Sequence, residues 1–196
     1  MYSPLTQTRD PINDFSSALE FLYLEGFRGR DFVRASEHGL RRLLMEANFL
    51  PNFALQSDDS NYARHLLFRH PKDYFSIAAM VWKPEQGTPI HDHDGQWGIL
   101  GMVSGELEVK NFLDKEDHPK NDFVYLSKKE TYTPFANTPN NVCSCADIHM
   151  VLNRSINTSV SIHVYPKDIE ECQVFEPISS EENIYRTKKI NLSYSE

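Results

Sequence analysis

Between Asn13 and Gly26 the apolar residues Phe15, Ala18, Leu19 and Leu22 recur at the spacing of one helix face, behind Asn13 and Asp14 as capping candidates and ahead of Gly26 as a stop. A short amphipathic helix is predicted there. A second stripe, made by Phe32, Leu40, Leu43, Leu44 and Ala47, predicts a helix from about Asp31 to Asn48, with Gly39 weakening its middle and Pro51 closing the helical region. From Tyr62 onward the texture changes to short runs rich in β-branched and aromatic residues, separated by turn-forming clusters such as His70-Pro71-Lys72-Asp73. Strands are expected over Tyr62 to Phe68, Tyr74 to Trp82, Trp97 to Val103, Leu107 to Phe112, Asp122 to Leu126, Glu130 to Phe135, His149 to Asn153 and Ser159 to Tyr165. No crossover helix separates them, which favours an antiparallel sandwich or barrel over a parallel α/β sheet. One domain is expected: a helical segment over about residues 12–50, a barrel over about 60–175, and a polar tail over about 176–196 that runs along the surface.

Composition narrows the partners. Of 196 residues, 40% are hydrophobic and 12% aromatic, enough to close a core without disulfides. The net charge of −8 argues against a nucleic-acid or anionic-membrane surface, because both would repel the chain. A small-molecule partner is expected. Met1 to Asp10 lacks the pattern of a secretory signal and no apolar run approaches the ~20 residues that span a bilayer, so a cytoplasmic location is expected. Cys143, Cys145 and Cys172 are read as reduced thiols.

Candidate chemistry begins at His91-Asp92-His93. Side chains two apart on a strand face the same side, so both imidazoles can reach one ion while Asp92 points elsewhere. The run from His91 to Gly105 resembles the first motif of the cupins, and His149 with Asn153 resembles the second, which implies a jelly-roll β-barrel and a third ligand from a distant strand. Gly98 stands where most metal-binding cupins carry a glutamate, so His91, His93 and His149 remain as three neutral ligands. Imidazole suits iron, zinc, copper and nickel alike.

The wider pattern resembles the thiol dioxygenases, and within them the cysteine dioxygenases. It is carried by Tyr62-Ala63-Arg64, Trp82, Pro89-Ile90-His91-Asp92-His93, Gly105-Glu106, His149 and Ser161-Ile162-His163-Val164-Tyr165. The resemblance implies one Fe(II) per chain, a small thiol and O2 as partners, and oxidation of L-cysteine to its sulfinic acid. It also implies that Arg64, with Tyr62 beside it, binds the substrate carboxylate, where related 3-mercaptopropionate dioxygenases carry glutamine. Ser161, His163 and Tyr165 alternate along one expected strand and match the family's relay to a tyrosine, in which His163 orients the phenol and Ser161 fixes the tautomer of His163. Animal cysteine dioxygenases join that tyrosine to a cysteine five positions after the second metal histidine. Gly98 holds that place here, so no thioether crosslink is expected. Cys172 matches a cysteine of the family and is read as a pocket-wall residue. Alternatives are a dioxygenase of 3-mercaptopropionate or cysteamine, and a metal-loaded cupin that binds or senses a small molecule without turnover. A monomer or weak homo-oligomer is expected.

Overall fold

The computed structural model describes residues 10–115, 123–137, 142–144, 147–178 and 183–195, with residues 142–144 described by their backbone alone. Helix α1 (Pro11–Leu24) starts one turn earlier than the apolar spacing suggests, because Asp10 is its cap and accepts from Ile12 N at 3.0 Å and Asn13 N at 3.3 Å. Pro11, with no N–H to satisfy, opens the first turn. Helix α2 spans Gly29–Leu43, so the expected continuation to Asn48 lies outside the helix.

The strands are β1 (Ala63–Arg69), β2 (Ser76–Trp82), β3 (Ile90–His91), β4 (Ile99–Ser104), β5 (Glu108–Asp114), β6 (Phe123–Tyr132), β7 (Val142–Ser144), β8 (Ile148–Leu152), β9 (Ser159–Tyr165), β10 (Glu171–Pro177) and β11 (Ile184–Asn191). They form a five-stranded antiparallel sheet in the order β1-β2-β9-β4-β7 and a second sheet, β10-β11-β6-β5-β8-β3, whose strand pairings close on themselves. This is the expected mainly-β cupin jelly roll with two N-terminal helices. Two strands expected over Asp122 to Leu126 and Glu130 to Phe135 are one strand, β6, since Ser127 and Lys128 continue the ladder; β6 ends at Tyr132, short of Phe135, and Asp122 itself lies outside the described residues. The polar tail is also corrected: Ile184–Asn191 pairs with β10 and β6 as a barrel strand whose side chains are all half-buried or exposed. That incomplete burial gives a polar composition without making a surface tail.

Core packing explains why β2 and β9 are buried along their whole length. Ile77, Ala79 and Val81 of β2, with Val160, Ile162 and Val164 of β9, pack against Phe15, Leu19, Phe32 and Leu40 of the helices. Met80 and Trp82, with Leu100 and Met102 of β4, face inward onto Leu107, Val109 and Val151 of the other sheet. Helices cover one face of the first sheet and the second sheet covers the other. The inward row of β9, Ser161, His163 and Tyr165, is therefore polar in a place where solvent cannot satisfy it.

Candidate metal centre

His91 and His149 are direct cross-strand partners between β3 and β8, so their side chains share the barrel interior. His93 does not lie on the strand as expected. The β3 ladder ends at His91, and beyond it Asp92 N donates to Gln173 O at 3.0 Å while the Asp92 carboxylate accepts from Gln173 N at 2.8 Å. Asp92 is thus tied to the neighbouring strand, and His93 enters a turn whose next residues, Asp94 and Gly95, have φ of 53° and 72°. It still converges with the others: one nitrogen from each of the three imidazoles lies within 4.8 Å of the rest.

Burial pushes the His91 ring below its ordinary pKa, and burial together with the neighbouring His149 and His91 pushes His93 well below it. His91 and His93 are thereby favoured as neutral imidazoles with lone pairs available. His91 Nδ1 is 3.0 Å from Pro89 O; a carbonyl only accepts, so the proton sits on Nδ1 and the lone pair on Nε2. His93 Nδ1 is buried with no hydrogen-bond partner among the described residues. A divalent cation suits this set: three imidazole nitrogens converge, and the buried His93 Nδ1 has no hydrogen-bond partner among the described residues.

The histidines line a partly open cavity with Tyr62, Arg64, Trp82, His163, Tyr165 and Cys172, and with apolar Met80, Val151, Ile169, Val174, Ile190 and Leu192. Its volume, ≈ 50 Å³ for the centres of water-sized groups, compares with the ~10–15 Å³ one water needs on that measure, so it suits a ligand of a few heavy atoms. Trp82 Nε1–H donates to Ser161 Oγ at 2.9 Å, Ser161 Oγ is 2.8 Å from His163 Nε2, and His163 Nδ1 is 3.2 Å from Tyr165 Oη. Ser161 stands behind the cavity wall and acts on it through His163. Burial lowers the His163 pKa to about 3, so the ring is neutral. A Cβ added at Gly98 would come within 2.7 Å of Tyr165 Cε1; glycine is what allows the phenol ring to lie against this strand. Tyr62 stacks on Trp82 with centroids 4.5 Å apart. The Cys172 thiol is pushed up by burial to about 11 and stays protonated. The side chain of Cys143, and Cys145 altogether, lie outside the described residues.

Arg64 is buried. It donates through Nη2 to Ile169 O at 3.1 Å, lies 3.6 Å from Asp168 Oδ1, and stacks over the Tyr194 ring with 4.2 Å between its Cζ and the ring centroid. Sequence reasoning missed Asp168, Arg69 and Tyr194, and it missed Ile190 and Leu192 because they fall in the segment read as a tail. Asn153 has a local role: its amide donates to Trp82 O and Asn157 O, at 2.9 and 2.8 Å, fixing the chain after β8.

Fold and site together define a cupin with a cluster of three histidines in the barrel interior that could hold a metal ion. Residues 44–177 match the family model for cysteine dioxygenase type I, and the chain belongs to that family. It is 25% identical to cysteine dioxygenase type 1 of Rattus norvegicus over 127 residues and to that of Homo sapiens over 131. Each match covers 64% of this chain, and the chain spans 61% of the length of these relatives. Among solved structures it is similar to the protein TT1209 from Thermus thermophilus, with a TM-score of 0.43 and 14% identity over 60% of this chain and 96% of that one. No helix among the described residues is long and apolar enough to cross a membrane.

Proposed function

We propose that this protein is a thiol dioxygenase that holds Fe(II) through His91, His93 and His149 and oxidises L-cysteine to cysteine sulfinic acid. The observation that carries this reading is the convergence of three imidazoles on a small, partly open cavity whose wall also presents a guanidinium and a phenol. When bound, the iron supplies the redox chemistry by which both atoms of O2 are joined to the substrate sulfur. The protein's own residues do the rest. Arg64 offers a planar, permanently charged donor to the substrate carboxylate, and Tyr62, on the same wall and stacked on Trp82, bounds that end of the cavity.

The hydrogen-bonded row on β9 orients the phenol. Trp82 donates to Ser161 Oγ, and in this reading the Ser161 hydroxyl in turn donates to His163 Nε2. Neutral His163 then carries its single proton on Nδ1 and donates to Tyr165 Oη, which directs the Tyr165 hydrogen toward the cavity. There it can donate to an oxygen of the substrate or co-substrate. Apolar walls from Met80, Val151, Ile169 and Val174 keep bulk water from the thiolate. With glycine at position 98, Tyr165 acts without a thioether link to that position.

The test compares L-cysteine, 3-mercaptopropionate and cysteamine in wild type and Arg64→Gln. The reading expects wild type to prefer L-cysteine and the substitution to raise KM for both carboxylate-bearing thiols by at least about tenfold, the cost of a lost charged hydrogen bond. Wild type preferring cysteamine contradicts the role of Arg64, and preference for 3-mercaptopropionate reassigns the substrate.

A further inference from the structure

Strand β1 carries an irregularity with a consequence for the cavity. Arg64 pairs with Met80 and Leu66 with Ala78, but Phe68 pairs with Ile77 and Arg69 with Ser76, so Leu67 is an extra residue. Without it Arg69, five positions from Arg64, would point to the opposite face. The bulge returns Arg69 to the face of Arg64, the same face as Ser161, His163 and Tyr165 across β2.

On that face stands Asp168, a carboxylate 6% exposed. Arg69 Nη2 forms a short ion pair with Asp168 Oδ2, and the Tyr194 hydroxyl donates to Asp168 Oδ1 at 2.5 Å. Burial first, and then the bond to Asp168, push the Tyr194 phenol up to about 12, so it remains a donor. Arg64 Nη2, at 3.6 Å from Oδ1, stays beyond hydrogen-bond reach of the same carboxylate. Tyr194 also lays its ring on the Arg64 guanidinium, and its neighbour Ser195 brackets the Arg64 backbone, with Ser195 N donating to Arg64 O at 2.7 Å and Arg64 N donating to Ser195 Oγ at 3.0 Å.

A buried carboxylate beside the residue meant to bind a substrate carboxylate poses an electrostatic problem. Arg64 and Asp168 alone sum to zero and would repel an anionic group as much as attract it. With Arg69 included the sum over these three groups is +1, Glu170 being a solvent-exposed carboxylate that reaches Arg69 Nη1 only at 4.0 Å, and both Asp168 oxygens are already engaged. Arg69 is not on the cavity wall, and the surface around Asp168 is otherwise acidic, formed by Asp73, Asp94, Glu170 and Glu171 with Lys167 as its cation.

We propose that Arg69 and Tyr194 are positioning residues which, by occupying the two oxygens of Asp168, leave the charge of Arg64, and the donors not taken by Ile169 O, to the carboxylate of the thiol substrate. This rests on the reading of Arg64 given above. The test measures anaerobic equilibrium binding of L-cysteine to full-length, iron-loaded protein, with KM and kcat alongside, in Arg69→Gln, Arg69→Lys, Tyr194→Phe and the double variant Arg69→Gln/Asp168→Asn. Removing the charge of Arg69 is expected to weaken cysteine binding and raise KM about tenfold with kcat changed less than about twofold. Lysine at 69 is expected to recover most of the loss, Tyr194→Phe to weaken binding about threefold, and the double variant to bind within about threefold of wild type because the sum returns to +1.

A double variant as weak as or weaker than Arg69→Gln overturns the proposal, as does an Arg69→Gln variant that binds cysteine like wild type. A loss confined to kcat overturns it too. Should Arg64→Gln itself leave cysteine binding unchanged, the underlying assignment of Arg64 fails and the proposal with it, whereas weakening at Arg64 without weakening at Arg69 removes only the proposal.

Discussion

At position 98 and in the β9 row, single side chains decide what the cavity can do. Replacing Gly98 by alanine puts a Cβ within 2.7 Å of Tyr165 Cε1 in a packed interior, and the ring must move. Overpacking of this kind costs about 1–3 kcal/mol. The Gly98→Ala protein is expected to unfold at lower denaturant concentration and to lose turnover with iron content unchanged; an unaltered midpoint contradicts the close approach. His163 supports a pH prediction. Its folded pKa of about 3 lies below the ordinary 6.5, so the unfolded chain binds the additional proton, and stability is lost as pH falls from about 6.5 toward 3. His163→Gln lacks that penalty. The destabilisation it causes relative to wild type is therefore expected to be largest near pH 7 and to shrink by pH 4.5, which thermal melting of the metal-free proteins would show; a gap that is constant or widens toward acid contradicts neutral burial of the ring.

Elements carry these side chains to one place with help from irregular features. β9 runs Ser159 to Tyr165, as its alternation predicts, because Val160, Ile162 and Val164 have helices to pack on while the polar row faces inward. The shared face of Ser161, His163 and Tyr165 was legible for the same reason, since period-2 alternation states which residues share a face, whereas Arg64 and His149 were named through the family resemblance. Three features broke that rule. Leu67 inserts a bulge, so five-residue spacing joins Arg64 to Arg69; β3 stops at His91, so a turn delivers His93; and β11 is nowhere more than half-buried and does not alternate, so its composition reads as a tail. None has a local signal in a single sequence, because each is fixed by the strand that lies opposite. Gly39, which weakens α2 by propensity, lets Phe15 approach closely: a Cβ there would meet the ring at 2.9 Å. Helix packing overrides propensity at that point. The helices are expected to contribute to stability through this face, with Leu19→Ala, fully buried, losing about 2–5 kcal/mol in denaturant titration; a loss below about 1 kcal/mol would place α1 outside the cooperative core.

For the molecule as a whole, one sheet is sandwiched between helices and a second sheet, and the chain after β11 crosses back to the outer edge of β1 at Arg64. The cavity therefore depends on segments far apart in the chain, from Tyr62 to Leu192, which is why a reading by local segments named the three clustered histidines and Arg64 but not Asp168 and Tyr194. The most direct measurement is oxygen uptake by anaerobically iron-loaded protein supplied with L-cysteine, with sulfinate counted by mass spectrometry and His149→Ala as the paired control. The account predicts one O2 consumed per sulfinate formed, and neither iron retention nor uptake in the control. Iron bound at one per chain with no oxygen uptake on any of the three small thiols would contradict it and leave a metal-binding cupin without turnover.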